Sequence, residues 1–322
     1  MYKIGVTGVG SLIGQGIIKS IIRSQYSKNY CIIGFDYFKD TVGSFWCHKN
    51  YILPDILKEE LVEKWLQTII QIINDEKIQI MFIGIDFELP LFAKYKAHIE
   101  IQTSCKVIVN NSSVIEIGND KYKTYEFLKN SGLTYPETFL PNDCDFDKLI
   151  YPVIIKPRVG ARSIGVSKVN SASELNKALA EAKDPIIQEY IGDDSTEYTC
   201  GVIKLNEHKE KIIVLNRTLR QGNTFLSEYK KDFPIVIYDY LHEITNKLQP
   251  YGATNYQLRL DRNEIPKLFE INPRHSGTTY MRTLFGYNEV IYILKNILEG
   301  IDLEFDLKEG KAMRFYDEVL IN

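Results

Sequence analysis

The sequence predicts an α/β protein: a helix-covered parallel sheet at the N-terminus, followed by an α+β region. Three observations carry this. Apolar runs of strand length alternate with helical patterns through residue 118. The first run, "KIGVT" at 3–7, passes into a glycine-rich turn that opens a helix, "TGVGSLIGQGI". After about residue 150 the pattern changes to paired strand-like runs separated by short polar turns.

In the first region "SLIGQGIIKSIIRS" (11–24) has helical spacing and "CIIGFD" (31–36) is a second strand. In "LKEELVEKWLQTIIQII" (57–73), Leu61, Trp65, Ile69 and Ile73 form one helical stripe. "IQIMFIGID" (78–86) and "KVIVN" (106–110) are the third and fourth strands. A boundary follows near Gly118. The helix in "NDKYKTYEFLKNSGLTYP" (119–136) is capped by Asn119 or Asp120 and stopped by Gly132 and Pro136. "YPVIIKPRVGARSIGVSKV" (151–169) reads as two strands around a loop, and Ser171 with Glu174 opens a helix with a capping-box pattern. Strands follow at 185–191 and through about 196–220, and "RQGNTFLSEYKKDF" (220–233) reads as a mobile flap. A helix is expected at 233–248, a hairpin with Asp-Arg-Asn-Glu at its turn over 256–272, and helices in 277–299.

Composition narrows the function. A chain of 322 residues, 44% hydrophobic and 25% charged, has ample material for a core. A net charge of −3 gives no electrostatic footprint for nucleic acid. No run is apolar and long enough to span a membrane, and the N-terminus has no signal-peptide pattern, so the cytoplasm is the expected compartment. Cys31, Cys47, Cys105, Cys144 and Cys200 form no C-x-x-C pair and read as reduced thiols. Gly8, Gly10 and Gly14 are spaced one residue wider than a dinucleotide fingerprint, and Asp36 matches its ribose acid only loosely. A tight strand-to-helix turn is the expected role of these glycines.

The chemistry lies in four separated pieces. Lys121 opens the helix after the boundary. Lys156 follows an apolar run, so its ammonium must find an anion or a carboxylate. The loop behind it, from Arg158 to Gly165, carries basic groups and the Ser163 hydroxyl, and its backbone N–H groups suit phosphate oxygens. In "IIQEYIGDDSTEY" (186–198) the backbone of Glu189 and Ile191 suits an adenine edge, and either Glu189 or Glu197 suits ribose hydroxyls. On the 256–272 hairpin Glu270 and Asn272, two apart, share a face, and Gln257 lies across from them. Such oxygen donors suit Mg²⁺.

These pieces, in this order over about 119–282, resemble the ATP-grasp enzymes, in particular the carbamoyl-phosphate-synthase-like type, and are similar to biotin carboxylase. The residues carrying the match are "NDKYKTYEFLKNSGLTYP", "YPVIIKPRVGARSIGV", "IIQEYIGDDSTEYT", and "NYQLRL" followed by "LFEINPRHSG". The resemblance implies a Rossmann-like pre-ATP-grasp domain at 1–118, a small lid subdomain at 119–190, and a C-terminal ATP-grasp subdomain at 191–322. It implies ATP with Mg²⁺, or Mn²⁺ in its place, as cofactors. Lys121 and Lys156, with Arg158 and Ser163 of the loop, would meet the phosphates. Glu189, Tyr190 and Ile191 would form the adenine hinge, and Glu197 would lie by ribose or phosphate. Gln257, Glu270 and Asn272 would hold the metal. Arg274 with Lys156 would act on the transferring phosphoryl group, and Arg217 would face the reaction centre. Gln257 departs from the many relatives with a carboxylate there, and the 157–165 loop is poorer in glycine than that of biotin carboxylase.

The reading is then a ligase: a small-molecule carboxylate is activated as an acyl phosphate and an amine displaces the phosphate. The partners are those two substrates, a homodimer is the assembly considered, and neither nucleic acid nor membrane is expected. Two other readings compete, a bicarbonate-activating carboxylase or carbamoyl-phosphate-type enzyme, and a nucleotide-binding module without catalysis. His275 reads as a loop residue near the substrate pocket, and Asp86 and Glu88 as strand-end acids that either touch substrate or cap the next helix.

Overall fold

The computed structural model describes residues 1–160, 164–205 and 210–320. Its first sheet is built around β1 (Tyr2–Thr7), with β2 (Tyr30–Asp36) and β3 (Lys49–Ile52) on one side and β4 (Ile80–Phe82) and β5 (Lys106–Ile108) on the other. All four pairings are parallel. Parallel neighbours need crossovers, which α1 (Leu12–Ile22), α2 (Val62–Glu76) and α3 (Leu89–Thr103) supply. One face packs Ile4, Val6 and Phe82 with α1, and the other packs Ile33, Phe35 and Met81 with Trp65, Ile69 and Phe92. Both faces are therefore buried, as parallel sheets require. The edge strand β3 is absent from the sequence reading because "KNYI" is short, polar and mostly exposed.

The glycine turn packs backbone against backbone. Gly8 has φ +55°, and a Cβ on Gly14 would stand 2.2 Å from the Gly8 carbonyl oxygen. Asp36 is spent on the same turn, accepting from the N–H of Gly10 and of Tyr37 at 2.7 Å each.

Two further helices, α4 (Ser112–Asn119) and α5 (Lys121–Asn130), are capped by the side chains of Asn111 and Asp120. Next comes a four-stranded antiparallel sheet, β6 (Thr138–Phe139), β7 (Val153–Pro157), β8 (Ser167–Val169) and β9 (Pro185–Glu189), in the order β6-β9-β7-β8. Helix α6 (Ala172–Glu181) packs on it, and Ser171 accepts from the Glu174 N–H as its N-cap. Leu128 and Leu133, just after the boundary, join the core of the sheet that follows.

That last sheet runs β14-β13-β10-β11-β12-β15, all antiparallel: β10 (Glu197–Lys204), β11 (Lys211–Arg220), β12 (Asn223–Tyr229), β13 (Gly252–Leu260), β14 (Pro266–Asn272) and β15 (Gly310–Met313). The expected flap at 220–233 is largely β12, paired on both sides, with Thr224, Ser227 and Tyr229 buried. Its mixed polar composition hid a strand whose faces are neither plainly apolar nor plainly exposed.

One face of this sheet is apolar. Tyr198, Cys200, Tyr256, Leu258, Leu268 and Ile271 pack on Ile237, Leu241 and Ile244 of α7 (Ile235–Leu248). The other face is apolar where Ile203, Ile213 and Leu215 join the core of the first sheet, and polar beyond it. Cross-strand pairing sets Glu197 beside both Arg217 and Arg259, Thr199 beside Gln257, Gln257 beside Glu270, and Asn255 beside Asn272. A break in register decides the last of these. Leu268 and Ile271 are three apart yet both in the core, which a regular strand forbids. Gln257 pairs with Glu270 and Leu258 with Leu268, so Phe269 is an extra residue, and the bulge turns both Phe269 and Glu270 away from the core.

Against this same face, α8 (Thr279–Leu284) and α9 (Glu289–Glu299) join the sheet to α1 and the first sheet. Arg282, 1% exposed, donates to Glu289 at 3.0 Å and to Asn255, which also accepts from Thr199 at 2.8 Å. Burial pushes the Glu289 carboxyl up, but Arg282, His275 and Thr279 outweigh it and hold the group at about 2. The guanidinium fits because β10 has a glycine beneath it: a Cβ on Gly201 would lie 2.6 Å from Arg282. Gly201→Ala should therefore displace Arg282 and lower the unfolding free energy by about 1–3 kcal/mol in urea titration. An unchanged midpoint would show that the arginine does not depend on that gap.

Candidate functional site

Two cavities meet over the polar face. The first, about 200 Å³, lies between the four-stranded and six-stranded sheets. Ile154, Ile164, Val166, Ile191, Leu219 and Phe269 give it apolar walls, while Lys121, Lys156 and Glu270 are among its polar groups. The second, about 170 Å³, lies between the opening turn of α1, the 84–86 loop of the first sheet and the polar face. Arg217, Leu219, Gln257 and Glu270 line both, so the cavities share a wall made of the residues that β11, β13 and the β14 bulge present.

Lys156, 5% exposed, leaves β7 with its ammonium 3.3 Å from the Phe269 carbonyl oxygen and over the Phe269 ring. Burial pulls it down to about 7, helped by the nearby charge of Lys121 and opposed by Glu270 and Glu197. Lys121, also buried, donates to the Gly160 carbonyl at 2.9 Å, so the two lysines come together from the start of α5 and the end of β7. Arg158 turns elsewhere. It pairs with Asp120, the N-cap of α5, and is not among the residues lining either cavity. Ser163 lies outside the described residues.

At the end of β9, Glu189, Tyr190 and Ile191 all line the first cavity. Lys267 donates to both Glu189 carboxylate oxygens, at 2.9 and 3.0 Å, and Lys168 stands 3.7 Å over the Tyr190 ring. Glu197 sits between two guanidiniums, 2.7 Å from Arg217 and 2.6 Å from Arg259. Burial alone would push its carboxyl up; the two arginines reverse that and hold it below the ordinary carboxylate value. Arg217 also donates to Gln257 Oε1 at 2.6 Å.

Asn272 and Arg274 line the second cavity. Arg274 pairs with Asp86, just beyond β4 of the first sheet, and donates to Asn272 Oδ1 at 3.0 Å. Glu270 is different. It is half-buried at the junction and has no hydrogen-bond or ion-pair partner among the described residues. His275 points away from both cavities, into the Glu289 network, with Nδ1 2.9 Å from Glu289. Glu88 is also interior. It accepts from Thr7 and from Tyr37 at 2.8 Å, and burial raises it to about 7.

A family model described as an ATP-grasp domain matches residues 118–278, half of the chain. The chain belongs to the ATP-grasp family. Its curated relatives include D-alanine–D-alanine ligase B of Chromobacterium violaceum, 36% identical over 110 residues, 31% of this chain and 34% of the relative. Carbamoyl-phosphate synthase of Methanobrevibacter smithii is 24% identical over 62% of this chain and 58% of the relative. This chain thus spans about a third and somewhat over half of those two relatives. Among solved structures, N5-carboxyaminoimidazole synthetase of Staphylococcus aureus complexed with ADP superposes with TM-score 0.76 at 18% identity, covering 98% of this chain and 82% of that one. L-amino acid ligase of Bacillus licheniformis gives TM-score 0.74 at 16% identity, covering 96% and 78%. The shared ATP-grasp architecture is a mixed α/β fold, a parallel N-terminal sheet followed by antiparallel sheets. No helix among the described residues is long and apolar enough to cross a membrane.

Two residues that line these cavities, Arg259 and Arg314, and one beside them, Lys267, escaped the sequence reading. Arg259 stands two positions from Gln257 on β13, and alternation alone would have put it on the same face. Lys267 and Arg314 have no local motif; the first meets Glu189 across sheets, and the second reaches the cavity from near the end of the chain.

Glu197 gives the test of this geometry. Glu197→Gln should cost about 3–5 kcal/mol by leaving two arginines poorly compensated. Its folded value is depressed, so its contribution is present above about pH 4.3 and is lost as pH falls through the folded value. The gap between wild type and variant in urea unfolding should therefore narrow from pH 6 towards pH 3. A gap independent of pH would remove the ion triad as its cause.

Proposed function

We propose that the chain is an ATP-dependent carboxylate–amine ligase. The observation that supports this best is the meeting of two cavities at an uncompensated carboxylate. The first cavity suits ATP. Its apolar walls accept a flat base, the Glu189–Ile191 backbone offers an adenine edge its partners, and Lys121 and Lys156 supply charge for the phosphates. The second suits the acid, with Arg274 beside the junction. In this reading 1–118 is the first domain, 119–190 the lid and 191–322 the body of the site.

Glu270 fits a divalent cation: it is a half-buried carboxylate near the Lys156 ammonium, with no hydrogen-bond or ion-pair contact of its own among the described residues. Gln257 and Asn272 share its face, and their carbonyl oxygens keep a lone pair beyond the bonds they accept from Arg217 and Arg274. These three would hold Mg²⁺, which when bound neutralises charge on the phosphate oxygens.

A carboxylate oxygen of the substrate attacks the γ-phosphorus; the bond to the β–γ bridging oxygen breaks and ADP leaves. The chain contributes position and positive charge rather than a covalent nucleophile. Lys156 and Arg274 approach the junction from opposite cavities and stabilise the charge that develops on the transferring group. An amine then attacks the acyl carbon, phosphate departs, and the amine loses a proton to give an amide. The four-stranded sheet, closing over the first cavity, keeps water from the acyl phosphate.

With ¹⁸O in the substrate carboxylate, label should appear in the released phosphate, and Glu270→Gln, which breaks no bond within the fold, should release none. ADP release that needs bicarbonate instead would favour the carboxylase or carbamoyl-phosphate reading. Nucleotide binding without turnover across a broad panel of acids and amines would favour a binding module.

Lys156 supplies a second test. With its ammonium at about 7, it is largely neutral at pH 8.5 in the free protein. Phosphates would raise it, so MgADP binding should take up close to about one proton at pH 8.5 and little at pH 6. Calorimetry in two buffers of different ionisation enthalpy reads this directly. Undiminished uptake in Lys156→Met would take that lysine off the phosphates.

A further inference from the structure

Six arginines among the described residues are at least partly shielded from solvent. Five sit on a carboxylate: Arg158 on Asp120, Arg217 and Arg259 on Glu197, Arg274 on Asp86, and Arg282 on Glu289. The sixth, Arg314, has no carboxylate partner among the described residues. It follows β15 and is held by backbone alone: Nε donates to the Thr224 carbonyl at 3.0 Å and Nη2 to the Gly277 carbonyl at 2.6 Å. Of the five N–H groups a guanidinium carries, those two are used. The side chain lines the second cavity.

The surroundings add to its lack of compensation. Burial pulls the Arg314 guanidinium down from its ordinary value. Lys19 of α1 is lowered too, by burial first and then by the charges of Arg23 and Arg314, with the exposed Asp317 opposing them more weakly. A shielded guanidinium with open donors and positive neighbours is short of an anion, and its planar fork matches carboxylate or phosphate oxygens. Two backbone carbonyls fix its orientation in advance, which reduces the entropy lost on binding.

Its place in the cavity says which anion. The activated carboxylate has to meet the phosphate at the junction, where Arg217, Gln257 and Glu270 line both cavities. Arg314 is not part of that junction; it belongs to the wall formed by the start of β12 and the 276–278 loop. We propose that Arg314 anchors a second anionic group of the acid substrate, so that this ligase acts on a dianion in the sense of an acid with two anionic groups: a dicarboxylate, or an acid that also carries a phosphate. This rests on the ligase reading for the word substrate, but the anion site itself does not require turnover.

The test is direct binding at matched ionic strength, by calorimetry on the full chain, with acetate against succinate and glycolate against phosphoglycolate. Wild type should bind at least one dianion about 10-fold or more tightly than its monoanionic counterpart. Whether succinate or phosphoglycolate gains more tells carboxylate from phosphate. In Arg314→Met the preference should fall to within about twofold, with the far-UV spectrum and cooperative melting kept. Arg314→Lys retains charge without the fork and should show a reduced preference; it carries the test if the methionine variant does not fold. Equal binding of mono- and dianions by wild type, or a preference that survives both substitutions, would overturn the proposal. Acid-dependent ADP release is measured separately. If it is absent while the dianion preference is present and Arg314-dependent, the ligase reading fails and the anion site stands. If release is present, KM for the acid should rise in Arg314→Met far more than KM for ATP.

Discussion

Strand β14 has to send Leu268 and Ile271 into one core although they are three residues apart, and only an inserted residue lets it do so. The bulge at Phe269 has two consequences on the cavity side. It presents an aromatic face under Lys156, and it sets Glu270 opposite Gln257 at the junction of the two cavities. A regular strand that kept Leu268 in the core would turn Phe269 out and Glu270 in, burying a carboxylate in the apolar layer against α7, where an isolated charge costs several kcal/mol or more. The core and the site are thus solved by the same irregularity.

The polar face this creates carries more charge than water alone can compensate. The fold answers with carboxylates placed one strand away from arginines, and with a second group on the same face in which Arg282 and Glu289 lie almost fully buried. Such pairs add little net stability over a hydrocarbon equivalent, but losing one partner is costly, so they lock side chains into one arrangement. Glu197 in this view orients Arg217, which in turn holds the Gln257 carbonyl. Against that background the groups left uncompensated stand out: Glu270 at the junction, and Arg314 in the second cavity.

Much of this was legible in sequence. Period-two alternation put Glu270 and Asn272 on one face and Gln257 across from them, and the apolar run before Lys156 announced a buried ammonium. The parallel sheet and its helices followed from alternation, and Asp120 capped α5 as its position suggested. What stayed hidden was non-local or compositionally neutral. The strand β12 resembled a flap because its neighbours β11 and β15 are needed to make it a strand. Arg158 resembled a phosphate ligand, and its pairing with Asp120 is a non-local contact that no local pattern announces. The bulge could have been inferred from the three-residue spacing of Leu268 and Ile271, had both been assigned to the core.

The second cavity explains why the family is clearer than the substrate. The sheet and its ion pairs are scaffold, and scaffold is what the superpositions with the synthetase and the amino acid ligase measure, at 18% and 16% identity. The walls of this cavity are mostly loops and ends: 84–86 from the first sheet, 222–224 at the start of β12, 276–278 after Arg274, and Arg314. Each can change without moving a strand, so the first cavity can persist while the second is rebuilt. The Arg274–Asp86 pair ties these walls together across the two sheets. On the proposed ligase reading, an acid entering this cavity would meet Arg274, already engaged with Asp86 and Asn272, and Arg314, whose remaining donors are open. That asymmetry would favour a substrate with a second, distal anionic group, because only Arg314 has donors left to bind it.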